Sequence, residues 1–142
     1  MSEFVHLHVH SHYSLLQAVG STNDILETIK NDGMSAVALT DNSNMFGGIE
    51  FYQAALDQDI KPIFGLELRI DPKGITNTQI NSPTYPLVVI AKTYQGYQNL
   101  IDLATKSRVD GAYPTPKIDK ETLAQYSQDL ICLTGNYTSE LS

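Results

Sequence analysis

The chain has a single cysteine, Cys132. One thiol excludes an internal disulfide framework and suits a reducing compartment, so a cytoplasmic protein is the default expectation. Its strand of apolar neighbours reads Cys132 as a small buried hydrophobe. No apolar run reaches the roughly 20 residues that a bilayer-spanning helix requires, so no membrane partner is expected. The first residues lack a basic stretch followed by an apolar one, so no signal peptide is read there. Basic residues are also few. Nine Lys and Arg stand against 16 Asp and Glu, giving a formal net charge of −7. They are scattered and form no patch with interleaved aromatics. That argues against a phosphate-backbone grip by this segment and leaves DNA contact to attached domains. Gly-rich phosphate loops of the G-x-G-x-x-G or Walker type are missing, which disfavours the usual nucleotide-binding sheets.

What is present is concentrated at the start. All four histidines fall at alternate positions, His6, His8, His10 and His12, with Val5, Leu7 and Val9 among them. On a strand, alternate side chains share a face. Two readings fit: an imidazole row that converges on an ion of zinc type, or a solvated polar face. The chain is 142 residues long and 42% hydrophobic, enough for one domain with a real core.

The periodicity alternates between strand and helix. Residues 3–10 read as a strand. Ser21-Thr22-Asn23-Asp24 starts a helix that Gly33 stops. Residues 35–40 read as a second strand that runs into the turn Asp41-Asn42-Ser43-Asn44. A helix over 46–59 follows, with Ile49, Tyr52 or Phe51, Ala55 and Leu56 as its buried stripe. Residues 63–70 form a third strand, 71–85 a long surface loop and 86–91 a strand buried on both faces. A helix over 93–107 buries Tyr97, Leu100, Ile101 and Ala104. A short helix over 119–126 and a strand over 130–134 complete the order. Such alternation predicts parallel strands joined by crossovers, in an open doubly wound sheet or a barrel. Polar residues recur near strand ends: the histidines, Asp41-Asn42, Glu67 and Asn136. A (β/α) barrel builds its active site at such ends. The chain stops soon after a strand, so it is expected to be a piece of a larger protein, with residues 1–142 one domain portion.

Several residues carry bland alternatives. Asp41 and Asn44 suit a cap for the next helix. Gly47-Gly48 suits close helix packing. Tyr13, Tyr94 and Tyr97 suit a core better than base stacking, because no basic residues accompany them. Ser14 has no evident base partner and is not read as a nucleophile.

The strings HLHVHSHYSLL, ALTDN with MFGGIEFYQAA, IKPIFGLE and GYQNLIDLA occur in that order across most of the chain. In this they resemble the PHP domains that open the alpha subunits of bacterial DNA polymerase III, the replicative polymerases of the C family. PKIDKETL also fits the polymerase branch rather than a free-standing phosphatase. The resemblance implies a distorted seven-stranded (β/α) barrel of TIM-like type, of which this chain is an N-terminal part. It implies a cluster of up to three metal ions that hydrolyses phosphoesters in active members. In some polymerases that cluster is a 3′–5′ proofreading exonuclease. In others it has decayed to a scaffold on which a separate exonuclease (epsilon) subunit docks. The whole protein would be a DNA-directed DNA polymerase using magnesium, with the rest of the alpha subunit as this segment's first partner.

Carried over residue by residue, the family's paired histidines match His8 and His10, and its third-motif glutamate matches Glu67. His6 and His12 lie outside the ligand pattern. An aspartate is replaced by Gln17, a histidine by Asn42, another histidine by Pro86, and a cysteine or histidine by Asn136. The last two family ligands lie beyond residue 142. Neutral amide oxygens are weak partners for zinc and proline offers no donor. The resemblance therefore implies a degenerate site. His8, His10, Glu67 and Asp41 are left for one divalent ion, zinc or manganese, and no catalytic residue is assigned.

Overall fold

Leu66, Leu68 and Ile70 alternate along one strand, and Leu87 and Val89 along the next. Alternation puts each set on one face of a sheet, and that face needs an apolar cover. The cover is a helix carrying Leu100, Leu103 and Ala104, and the three sets form one buried cluster with Ile118. A computed structural model describes residues 4–134 of the chain.

The elements run α1 (Thr22–Asn31), β1 (Ala36–Leu39), α2 (Gly48–Asp57), β2 (Lys61–Ile70), β3 (Tyr85–Ala91), α3 (Tyr94–Val109), α4 (Lys120–Gln125) and β4 (Leu130–Leu133). The four strands lie in one sheet in the order β1-β2-β3-β4. A second core joins α1, α2 and β1 through Leu26, Ile29, Val37, Leu39, Phe51 and Ala55. Phe64 packs against both cores. No helix among the described residues is long and apolar enough to cross a membrane.

Local chemistry sets the helix ends. Ser21 caps α1, and Asp24 returns the bond to the Ser21 backbone, closing a capping box. Gly33 takes φ +72° just past the helix, where a side chain would be strained. Thr93 and Asp119 cap α3 and α4. The Gly47-Gly48 pair is a close approach: a Cβ on Gly47 would stand 2.6 Å from the Tyr13 ring.

Five expectations are corrected. Only β1 and β2 are parallel; β2–β3 and β3–β4 are antiparallel. No helix separates β2 from β3, so the 71–84 loop returns the chain directly, as an antiparallel pair permits. Between β3 and β4 there is an extra pass, in which Ile118 bridges Ile70 before α4. Residues 4–10 are extended beside β1 but form only the His6–Val37 bridge. The Thr40 backbone N–H still donates to the Val9 carbonyl, but the Thr40 hydroxyl takes the Val9 N–H and also donates to that carbonyl, so a side chain replaces part of the ladder. On α2, Phe51 and Ala55 are buried, whereas Ile49, Tyr52 and Leu56 are exposed; on α3, Ile101 is exposed and Leu103 takes its place in the core. Cys132 is exposed, on β4 at the edge of the sheet.

Candidate metal centre

The centre is built by register. The polar turn after β1 continues to pair with β2: Glu67 N–H donates to Asp41 O, Ser43 N–H donates to Glu67 O, and Asn42 bridges Glu67. Leu66 and Leu68 face the α3 core. Glu67, between them, points to the other face, where the N-terminal segment lies.

His8 Nε2 is 2.6 Å and His10 Nε2 3.1 Å from Glu67 Oε2. The ligand atoms of these three residues all lie within 4.8 Å of one another. Glu67 is 7% exposed. Burial alone would raise its carboxyl, but hydrogen bonds from His10 and His8 outweigh that and hold it below the usual carboxylate range. The bond from Glu67 lifts His10 above its usual imidazole value, against the opposing effect of burial.

The donor set fits a divalent ion of zinc type. Two imidazole nitrogens and one carboxylate oxygen are ordinary zinc ligands. Tetrahedral bonds of about 2.1 Å place donors about 3.4 Å apart, near the 3.1 Å of His10 and wider than the 2.6 Å of His8 from the Glu67 oxygen. Three protein ligands leave a coordination position open to water or substrate. A bound ion would supply Lewis acidity there.

A second network holds the loop that carries His10. Asp41 accepts from Ser11 N–H at 2.7 Å, Ser11 Oγ at 2.7 Å and Ser14 Oγ at 2.6 Å. Ser14 Oγ in turn accepts from Asn42 N–H. Asp41 is 2% exposed, with both oxygens occupied.

This geometry can be set beside known proteins. The family model for the PHP domain matches residues 6–142. The chain belongs to the PHP domain family. It is 41% identical over 141 residues to the DNA polymerase III subunit alpha of Treponema pallidum, covering 97% of this chain and 12% of that protein. It is 38% identical over 142 residues to the Campylobacter jejuni subunit, covering 100% of this chain and 12% of that one. The chain thus spans about an eighth of the length of the curated relatives it matches (12%). Among solved structures, a metal-dependent phosphoesterase of Bifidobacterium adolescentis, itself so described only by prediction, aligns with TM-score 0.56 at 10% identity, over 89% of this chain and 51% of that one. An amidohydrolase from Chromobacterium violaceum aligns with TM-score 0.52 at 17% identity, over 76% of this chain and 34% of that one. At those identities the likeness is one of fold.

Within this PHP domain portion, His8, His10 and Glu67 come together, and among the described residues they are the group of three or more His, Cys, Asp and Glu side chains so arranged. Asp41 stands outside that group, clamped by serines. It does not cap α2, whose N-cap is Gly47. Asn44 instead binds the Tyr13 and Asn42 carbonyls. Gln17 and Asn42 meet each other: Asn42 Nδ2 donates to Gln17 Oε1 at 3.1 Å. Pro86 pairs with Arg69 in the β2–β3 register. Asn136 lies outside the described residues. The residues that sequence reasoning missed are Ser11 and Ser14. Their signal was there, as small hydroxyls interleaved with the histidines in His-Ser-His-Tyr-Ser.

Proposed function

We propose that this chain is the N-terminal part of the PHP domain of a replicative DNA polymerase III alpha subunit, carrying a reduced metal centre that acts as a scaffold. In the intact protein the domain closes as a distorted seven-stranded (β/α) barrel. His8, His10 and Glu67 hold one divalent ion, zinc or manganese. The surface supports the polymerase core and docks the exonuclease (epsilon) subunit. The parent protein extends DNA with magnesium through its other domains, in the cytoplasm.

The observation that carries this reading is the Gln17–Asn42 contact. These amides occupy the positions at which the family resemblance expects a carboxylate and an imidazole. A multi-ion cluster needs anionic bridging oxygens and nitrogen donors to balance its charge. Here the two side chains bond to each other as neutral groups, and three ligands remain.

The alternative is an active metal-dependent phosphoesterase or 3′–5′ exonuclease. The convergence of His8, His10 and Glu67 favours it. Turnover of bis(p-nitrophenyl) phosphate and of a 3′-mismatched oligonucleotide by the complete domain, with zinc or manganese, separates the two. The scaffold reading expects no turnover above a His8→Ala/His10→Ala control. Robust metal-dependent hydrolysis that this control abolishes would overturn it. Co-elution with the exonuclease subunit tests the docking role.

A further inference from the structure

We propose that the groove at the start of β2 and the end of β3 binds an amphipathic carboxylate, an aliphatic chain with one anionic head, and that Lys61 and Lys92 supply the counter-charge for the head. Binding there needs no metal and is independent of the scaffold reading.

Lys61 is the first residue of β2, and Lys92 follows Ala91, the last residue of β3. The two strands are antiparallel, so both lysines stand at one end of the sheet. They line one cavity of about 710 Å³. That volume lies inside the roughly 300–1,000 Å³ typical of small-molecule sites. The cavity shares no lining residue with the His8, His10 and Glu67 group. Along β2, Lys61 and Glu67 are separated by roughly 20 Å at the usual strand rise.

The walls are apolar. Val89 faces the α3 core, so Ile90 and its β4 partner Ile131 face the other way, with Leu133 on the same side of β4. These three side chains and Ile63 line the cavity. The rest of the wall is a run of rings. Tyr52 to Phe64, Phe64 to Tyr97 and Tyr97 to Tyr94 have centroids 6.3, 5.1 and 6.2 Å apart. Tyr52, Tyr94 and Ile131 are 45%, 74% and 46% exposed, and an aliphatic chain laid against them removes that surface from water.

Charge decides the head group. Among the described residues, no carboxylate lines the cavity. Lys61 and Lys92 are exposed, and their side chains have no hydrogen-bond or ion-pair partner among the described residues. The same holds for the hydroxyls of Tyr52, Tyr94 and Tyr97. Two ammonium groups therefore stand uncompensated beside apolar walls in a chain of net charge −7. They attract an anion, and the tyrosine hydroxyls can donate to its oxygens. No arginine lines the cavity, so the guanidinium fork that matches a phosphate is missing, and point charges suit a singly charged carboxylate. A cationic amphiphile gains the apolar walls but meets the lysines as like charges.

The test is isothermal titration of the 142-residue chain in the presence of a chelator, with dodecanoate, octanoate and dodecyltrimethylammonium as probes, each kept below its micellisation concentration. Dodecanoate is expected to bind saturably. Octanoate, with its shorter chain, should bind at least about tenfold more weakly, and so should the cation. Lys61→Gln/Lys92→Gln should weaken dodecanoate by about tenfold or more with an unchanged circular dichroism spectrum, since neither side chain has a polar contact to lose. Lys61→Glu/Lys92→Glu should exchange the preference, so that the cation binds more tightly than dodecanoate. Uptake that does not saturate, equal affinity of the parent chain for dodecanoate and the cation, or binding indifferent to the lysine pair overturns the proposal. So does binding that needs added metal and vanishes in His8→Ala/His10→Ala. The full-length protein is titrated in parallel. Dodecanoate bound there with the same lysine dependence supports the site; none bound there means that another part of the protein covers the groove, and overturns it.

Discussion

Asp41→Ala should destabilise this protein far more than a typical surface change. The carboxylate accepts three hydrogen bonds of 2.6–2.7 Å, from one backbone N–H and two serine hydroxyls. Ser11 and Ser14 are 0% and 1% exposed, so the donors left behind have no easy access to water. A hydrogen bond to a charged group contributes about 1.5–3 kcal/mol. The three bonds share one carboxylate, and the hydroxyls can partly re-aim, so the sum is discounted to about 3–5 kcal/mol. Unfolding entropy of about 2.1 cal/mol/K per residue turns that into a fall in Tm of about 10–17 °C for a chain of this size. Asp41→Asn keeps the shape but turns a donor toward donors, and should cost about 1–2 kcal/mol. Because Ser11 directly follows His10, the asparagine variant should also weaken metal binding by about tenfold through loss of loop positioning. Thermal and urea melts by circular dichroism read the stability. An alanine variant within about 1 kcal/mol of the parent, or alanine and asparagine variants that behave alike, would refute the clamp.

Two further predictions concern charge. Lys117 and Asp71 are 1% and 0% exposed and pair at 3.5 Å, tying the 71–84 loop to the segment before α4. Lys117→Met alone should cost about 3–5 kcal/mol, because it strands a buried carboxylate, while Lys117→Met/Asp71→Leu should cost less than the sum of its singles. A double-mutant cycle in urea with additive losses would contradict this. In chelator, the His10–Glu67 contact should make stability pH-dependent at both ends. Glu67 is depressed below its usual 4.5, so its contribution is present above about pH 4.5 and is lost as pH falls through the folded value. His10 is raised above its usual 6.5, so its contribution is complete below about pH 6.5 and is lost as pH rises through the folded value. The pair should therefore add about 1 kcal/mol, mostly between those limits, and Glu67→Gln should flatten the profile of urea midpoints.

Much of the centre was legible because it depends on short-range rules. His8 and His10 share a face by strand alternation, and Glu67 was found because IKPIFGLE carries a family resemblance. The helix starts were legible from the side chains of Ser21, Thr93 and Asp119. What failed depended on partners distant in sequence. The direction of β3 is set by whether the chain returns through a helix, and 71–84 returns without one. In the first ladder the Val9 N–H is taken by a hydroxyl, that of Thr40, rather than by a backbone carbonyl. The exposure of Cys132, Ile49 and Leu56 depends on what lies over each surface, which an apolar pattern does not specify.

The central claim is a reduced centre held by His8, His10 and Glu67. The direct test is bound metal per chain, counted by elemental mass spectrometry after incubation with zinc or manganese and removal of the excess. The account predicts one ion, absent from a His8→Ala/His10→Ala control. Two or more ions per chain, or one ion retained by the control, would contradict it.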